Sequence, residues 1–416
     1  MLKKIFKDKK TRKRCAIYRM LLENAKKRHV SFHTPGHKIG KWDVTELSFS
    51  DNLSCPRGCI AQAEEDIARI LGANKSFILT DGSTSGVLAM LRAANAMGLK
   101  KLLVLGRAHK SVYNACALLG IETTVREEEL IQADGALCTS PDYYGNVADL
   151  KALRRMCDEG GKLLLVDGAH GGHLHFNKAL YAGTYADFWV DGVHKSLPAL
   201  TQGAVVSARE EKQSEYLKKA VDIFRTTSPS YPIMASVEYA VKYPENPILE
   251  KTARAYAAQQ ERVILSGDYT KLRALFGKTA FEADAYLQKQ GIYAEFCDGK
   301  EICFYLSPAT TSRQFRILKN KLEKAFEKFA YVECKQDECV PAPVVFDEKA
   351  PLERVKLQES EGRISAVNCG LFPPCTPLVF AGERITREKI ELLEKADNVF
   401  GLSNGEIEVL KNGEKE

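Results

Sequence analysis

The chain has 416 residues, enough for about two or three structural units. Charged residues make up 27% and hydrophobic residues 45%, which excludes a disordered or fibrous protein. The net charge is +6; no apolar run reaches the ~18 residues of a membrane span, and the N-terminus lacks a secretory apolar core, so the cytoplasm is the expected location, with no membrane partner.

Much of the positive charge lies in the first 28 residues, where Lys3, Lys4, Lys7, Lys9, Lys10, Arg12, Lys13 and Arg14 stand against Asp8. A nucleic-acid-binding arm would need aromatic stacking platforms, and none lies between Phe6 and Tyr18. The expectation is therefore a solvated, poorly ordered tail with no nucleic-acid partner. Residues 16–27 have the apolar spacing of a short amphipathic helix. From about residue 62 the pattern alternates between strands and helices, with strands expected at 76–80, 102–105, 135–138, 163–166, 188–190 and 204–207. Helix-length amphipathic stretches such as 86–97 and 111–119 lie between them. This alternation indicates an α/β chain with a mostly parallel sheet, whose ligands gather at the carboxyl ends of the strands. Residues 239–266 read as a polar helical stretch interrupted by Pro244 and Pro247, opening a smaller α+β unit. The expected domains are a basic arm and helix at 1–45, a large domain at 46–242 and a small domain at 243–416.

Three strand ends carry the chemistry. The strand at 76–80 runs into Asp81-Gly82-Ser83-Thr84-Ser85-Gly86 and a helix, so backbone N–H groups and small hydroxyls converge as they do around a bound phosphate. The same residues would also serve as an ordinary capping turn. The strand at 163–166 ends in Asp167-Gly168-Ala169-His170, and the strand at 188–190 in Asp191-Gly192-Val193-His194-Lys195. An aspartate at one strand end and a lysine at another suit pyridoxal 5′-phosphate (PLP). The lysine amine condenses with the aldehyde, and the aspartate keeps the pyridine nitrogen protonated. The rival reading is zinc on His170, His173 and His175, which would leave Asp167 and Lys195 without a task. The twelve cysteines form no dense framework, and a cytosolic enzyme keeps them reduced. Cys55 with Cys59, and Cys334 with Cys339, are spaced closely enough for a metal, but buried or incidental thiols are the plainer reading.

With these residues in view, the chain resembles the Orn/Lys/Arg decarboxylase family, in a short form without an N-terminal wing domain. The resemblance rests on Phe32-His33-Thr34-Pro35-Gly36-His37-Lys38, Gly82-Ser83-Thr84-Ser85-Gly86, Ala108-His109-Lys110-Ser111, Asp167-Gly168-Ala169-His170, His194-Lys195-Ser196-Leu197-Pro198 and Thr226-Thr227-Ser228-Pro229-Ser230-Tyr231. Phe372-Pro373-Pro374-Cys375-Thr376-Pro377 and Gly382-Glu383-Arg384-Ile385 look like the family's closing segment. The resemblance implies an aspartate-aminotransferase-like fold (PLP fold type I), PLP as cofactor and decarboxylation of arginine, lysine or ornithine, a step toward polyamines. It also implies an obligate homodimer with shared active sites.

Position by position, it assigns Lys195 as the lysine that holds the cofactor, Asp167 as the pyridinium partner and His109 as the imidazole stacked on the ring. Ala169 packs on the opposite face, Ser83 and Thr84 hold the phosphate, and His194 precedes the lysine. Thr226 is a phosphate contact donated by the neighbouring subunit. Apart from the resemblance, the substrate's distal cation needs an acidic partner, for which Glu46 and Asp51 are candidates, an ordinary surface carboxylate being the alternative reading of each. The chain departs from the family at Gly192, where a serine is usual, at Asp191, where an uncharged residue is usual, and at Cys375, where a glycine is usual. A carboxylate at 191 would repel a neighbouring phosphate, and Gly192→Ser would be expected to restore a phosphate contact. The remaining rivals are an aminotransferase or lyase on the same fold and a catalytically impaired relative acting as a binding protein.

Overall fold

The computed structural model describes residues 6–27, 30–39, 41–125, 127–333, 350–371, 377–394 and 398–411. Cys334, Cys339 and Cys375 lie outside the described residues. The chain divides into two compact units: residues 1–99 with 137–334, and residues 100–136 with 335–416.

The first unit begins differently from the expected loose tail. Helix α1 (Lys9–Lys13) is capped by Asp8, whose carboxylate accepts from the Thr11 N–H at 2.6 Å. Phe6 is fully buried and packs edge-on against Tyr18 and, tilted, against Tyr239, while the Asp8 N–H donates to the Tyr239 hydroxyl. One large apolar side chain thus docks a segment that its charge alone would leave in water. Helix α2 (Ala16–Asn24) follows, with the Ala16 and Ile17 N–H groups held by the buried Glu238 carboxylate. Helix α3 (Cys59–Leu71) leads into the sheet.

The unit's main sheet has β1 (Lys75–Leu79), β7 (Ala204–Ala208), β6 (Phe188–Asp191), β5 (Leu163–Gly168) and β4 (Gly135–Thr139) in that order, and the last three residues of β4 fall in this unit. Strands β5, β6 and β7 are almost wholly buried, as sheet strands covered on both faces are. Strands β5 and β6 run parallel with Gly168 opposite Asp191, so the loops that follow them leave the same edge. Strand β7 is antiparallel to both β6 and β1, pairing Asp191 with Val205 and Leu79 with Ala204. This reversal departs from the expected parallel run and returns the end of β1 to the same edge as the ends of β5 and β6. Helix α4 (Gly82–Ala96) packs closely here: a Cβ on Gly86 would come within 2.6 Å of Val190 Cγ2, so glycine is required. Helix α6 (Leu150–Glu159) lies between β4 and β5, and α8 (Glu211–Phe224) and α9 (Tyr231–Val241) follow β7.

The same unit contains an antiparallel sheet of β10 (Phe296–Cys297), β11 (Glu301–Tyr305), β9 (Lys271–Leu275) and β8 (Val263–Leu265). Its core joins Leu272, Phe276, Ile302 and Phe304 to Leu287 of α11 (Ala280–Lys289) and to Phe315 and Leu322 of α12 (Ser312–Lys328). Helix α10 (Pro247–Gln259) starts at Pro247, so the expected interrupted stretch is two helices, α9 and α10. The α+β character expected beyond residue 243 is present, but residues 243–334 cluster with the first unit rather than with the C-terminus.

The second unit joins β2 (Lys101–Leu105) and β3 (Glu122–Thr124), which are parallel, and α5 (Lys110–Leu119) to the C-terminal segment. Aromatic packing links them: Tyr113 meets Phe380 edge-on at 5.0 Å, and Lys110 lies over the Phe400 ring. The C-terminal core of Cys369, Val379, Ile385, Ile390, Ile407 and Val409 is built on the pair β12 (Leu352–Lys356) and β16 (Glu406–Leu410), and on β14 (Pro377–Val379), β13 (Cys369–Leu371) and β15 (Val399–Phe400).

Candidate active site

The register of β5 and β6 brings Asp167 and Lys195 into one neighbourhood. Asp167 is 2% exposed, and its carboxylate accepts from the Ala169 N–H at 3.1 Å. Burial pushes its pKa upward, while the Lys195 charge and the Ala169 N–H pull it down. Lys195 sits on the one-turn helix α7 (Val193–Ser196), whose backbone closes through Lys195 N–H to Gly192 C=O at 2.8 Å. Its Nζ lies 3.2 Å from His170 Nε2 and 5.6 Å from the centre of the Tyr143 ring. His194 turns the other way: its Nδ1 donates to the Gly203 carbonyl at 2.9 Å, so Nε2 is its acceptor in the neutral ring. Burial lowers the His194 pKa, and the Lys195 charge lowers it further against the pull of the Gly203 carbonyl.

The third strand end supplies the anion cup. Gly82 takes a positive φ of 79° at the start of α4, and its N–H donates to the Gln202 carbonyl. Ser83 follows with its Oγ buried and, among the described residues, without a hydrogen-bond partner, a costly state for a hydroxyl unless a ligand completes it. Thr84 is exposed in the same first turn. Asp81 accepts from the Thr226 N–H at 3.2 Å, which brings Thr226 of the same chain to the rim of the cup. A Cβ on Gly192 would lie 2.7 Å from Ser83 Oγ and 2.4 Å from the Ala169 carbonyl oxygen. Gly192 is thus a requirement of the packing of three loops. The expectation that serine here would improve the cup is overturned by backbone collision.

Asp191 is likewise not where a phosphate would meet it. Successive strand residues alternate faces; Val190 faces α4, and Asp191 faces the opposite side. There its Oδ2 accepts from the Tyr181 hydroxyl at 2.6 Å and from Trp189 Nε1 at 3.1 Å. Burial pushes its pKa up to about 7, against the pull of these two donors.

The remaining expected residues scatter. His109 belongs to the second unit, where it caps α5 and its Nδ1 accepts from the Ser111 N–H at 3.1 Å, leaving Nε2 to carry the proton. Asp51 caps α3, accepting from the Arg57, Gly58 and Ile60 N–H groups at 2.8 to 2.9 Å, so its carboxylate is committed to the backbone. Among the described residues, the Glu46 carboxylate accepts from the neighbouring Thr45 hydroxyl alone. The three imidazoles weighed as zinc ligands face different partners: His170 meets Lys195, His173 meets Asp268 at 2.8 Å and His175 Nδ1 donates to the Gly172 carbonyl. Cys59 Sγ faces the Ser50 carbonyl, and Cys55 is exposed.

His170 is a residue beside Lys195 to which the sequence reading gave no role, since it entered only within the strand-end motif and as a ligand in the zinc rival. It is 1% exposed and packs against the rings of Tyr143, 4.3 Å away, and Tyr305, edge-on at 5.5 Å. Tyr143 follows β4, so the strand-end rule could have found it. Tyr305 ends β11 in the smaller sheet, and no local signal marks it.

A partnerless buried hydroxyl at a helix start, a glycine-lined cradle, a buried aspartate and a lysine beside it fit a phosphorylated pyridine aldehyde. Two family profiles match the chain: Orn/Lys/Arg decarboxylase, major domain, over residues 41–125 and 120–261, and Orn/Lys/Arg decarboxylase, C-terminal domain, over residues 319–400. The Bacillus subtilis (strain 168) protein YaaO, described as uncharacterized, is 28% identical across 91% of this chain and 93% of its own length. An arginine decarboxylase of the same organism is 26% identical across 91% of this chain and 93% of its own. The structure of the Escherichia coli constitutive lysine decarboxylase superposes with a TM-score of 0.73 at 19% identity, over 95% of this chain and 82% of that one. The fold is accordingly PLP fold type I, a mixed α/β architecture with a large, mostly parallel sheet and smaller antiparallel sheets.

Proposed function

We propose that this chain, which belongs to the Orn/Lys/Arg decarboxylase family, removes the α-carboxylate of arginine, lysine or ornithine as CO2. It is an amino-acid decarboxylase with PLP as its cofactor. The observation that carries the proposal is the meeting of Asp167, Lys195, Gly192 and Ser83 at adjacent strand ends of one sheet.

PLP, when bound, supplies the electron sink that accepts the pair left behind as CO2 departs. Lys195 would hold it through Nζ, and Asp167 would face its ring nitrogen as a charged carboxylate with a cation as partner. Ser83 and Thr84, with the N–H groups at the start of α4, would hold the phosphate. Ala169 would pack on one face of its ring. His170 Nε2, at 3.2 Å, is placed to take or return a proton at Lys195 Nζ. Glu46 is the remaining carboxylate of the two expected to meet the substrate's distal cation. We place the enzyme in the cytoplasm as a homodimer with shared active sites, catalysing an early step toward polyamines.

The test is a product assay on PLP-loaded protein with each of the three amino acids. CO2 and the matching amine in equal amounts are expected from at least one. A keto acid without CO2 would assign an aminotransferase instead. Borohydride reduction and peptide mapping should place the pyridoxyl label on Lys195; a label on another lysine would overturn the site.

A further inference from the structure

A lysine and an aspartate lie fully buried behind the candidate active site without touching Lys195. Lys271 and Asp268 have no exposed surface, and Lys271 Nζ stands 3.2 Å from Asp268 Oδ2 and 2.9 Å from the Thr270 hydroxyl. The other carboxylate oxygen of Asp268 accepts from His173 Nε2 and from the Thr270 N–H, each at 2.8 Å. The neighbouring charges hold the Asp268 carboxyl far below its usual range despite its burial. An ion pair of this kind contributes little to stability compared with apolar packing, so what it fixes in place is the more informative question.

It fixes two tyrosines. Lys271 Nζ lies 4.3 Å from the centre of the Tyr305 ring, and the Tyr305 hydroxyl donates to the Tyr143 carbonyl at 3.0 Å. The loop carrying Tyr143 is held from behind: the Asp268 N–H donates to the Gly145 carbonyl at 3.0 Å, and a Cβ on Gly145 would come within 2.9 Å of Lys271 Cβ. Both rings pack against the His170 imidazole. His173, three residues further along, returns the chain to Asp268. Ion pair, tyrosines and imidazole are therefore linked within one unit, and the linkage meets the reacting amine at His170 Nε2, 3.2 Å from Lys195 Nζ, and at the Tyr143 ring, 5.6 Å from it.

We propose that Tyr143 and Tyr305 are positioning residues that hold the His170 imidazole against the Lys195 amine, with the Asp268–Lys271 pair as their anchor. The proposal rests on the PLP reading of the site. The charged and titratable groups around Lys195 and His170 are Asp167, His194, Tyr143 and Tyr305, and those facing Tyr305 from behind are Lys271, Asp268, Cys303 and Glu295. If the clamp sets the distance between His170 and Lys195, loosening it changes the ease with which a proton resides at Lys195 Nζ.

The experiment titrates the violet absorbance of PLP held on Lys195 in purified protein against pH, without substrate. His170→Asn should move the midpoint by about half a pH unit or more. Tyr305→Phe, which removes one hydroxyl, and Lys271→Met should move it in the same direction, and Tyr305→Phe should add nothing in the His170→Asn background. Thermal melting identifies a variant that fails to fold; should Lys271→Met do so, Tyr305→Phe alone decides. An unchanged midpoint in folded, coloured Tyr305→Phe, or in His170→Asn, would overturn the positioning role. Wild-type protein that takes up no PLP would instead overturn the cofactor reading on which the role depends.

Discussion

Asp167 and Asp191 end neighbouring strands, one residue out of register, and both are buried to within 2% of full enclosure. Burial pushes both carboxyls toward the neutral form. The difference lies in what each one faces. Asp167 has the Lys195 cation and one backbone N–H, whereas Asp191 has two neutral donors, Tyr181 and Trp189, and among the described residues no cation is paired with it. Depth in the protein is therefore shared, and charge partnership separates a carboxylate suited to a cationic ring from one suited to a structural hydrogen bond.

The largest effect should come from removing the charge on the first of the pair. Asp167→Asn keeps the volume and the Ala169 contact but cannot pair with a pyridinium, so turnover should fall by about a hundredfold or more while PLP is still bound. Steady-state CO2 release together with the protein's absorbance checks both halves. Turnover like that of the wild type would place the ring partner elsewhere.

Gly192 follows Asp191 directly and packs against the Ala169 carbonyl beyond Asp167, and substituting it sharpens the comparison from the backbone side. In Gly192→Ser the new Cβ meets the Ala169 carbonyl 2.4 Å away, and the loops of β5 and β6 must separate. Overpacking of this kind costs about 1–3 kcal/mol, so PLP should bind about tenfold more weakly or worse. Titrating apo-protein with PLP measures it. Tighter binding would show that the loops part without loss and that the hydroxyl gains a phosphate contact.

The elements that position this site were largely legible in the sequence, because buried strands read as short apolar runs and the chemistry stands at their ends. Asp167, Lys195 and Ser83 were singled out in that way, and the structure places them at the ends of β5, β6 and β1. The antiparallel β7 was not, since an apolar run of five residues carries no direction. Asp191 was misjudged because its face follows from the pleat relative to α4, which composition does not express. The docking of residues 6–14 escaped a reading based on charge, as one buried Phe6 outweighs many exposed lysines. The tyrosine clamp and the ion pair behind it come from residues more than a hundred positions apart, and no local pattern joins them.

The smallest and most specific effect should come from Asp191→Asn. The wild-type carboxyl has a pKa near 7 in the folded protein against an ordinary value of 3.8, so the folded state holds a proton that the unfolded chain has already released. Stability from this group is therefore complete below about pH 4 and declines as pH rises, until loss of the proton near pH 7 ends the decline. The total is at most on the order of a few kcal/mol, since one pKa unit corresponds to about 1.4 kcal/mol. Asparagine can keep an oxygen toward Tyr181 and Trp189 and cannot ionise, so its variant should lose this slope and gain on the wild type as pH increases from 4 to 7. Urea midpoints measured across that range test the sign directly. Parallel slopes in the two proteins would mean that Asp191 is ionised throughout and that the field from Asp167 and the buried strands is weaker than its surroundings imply.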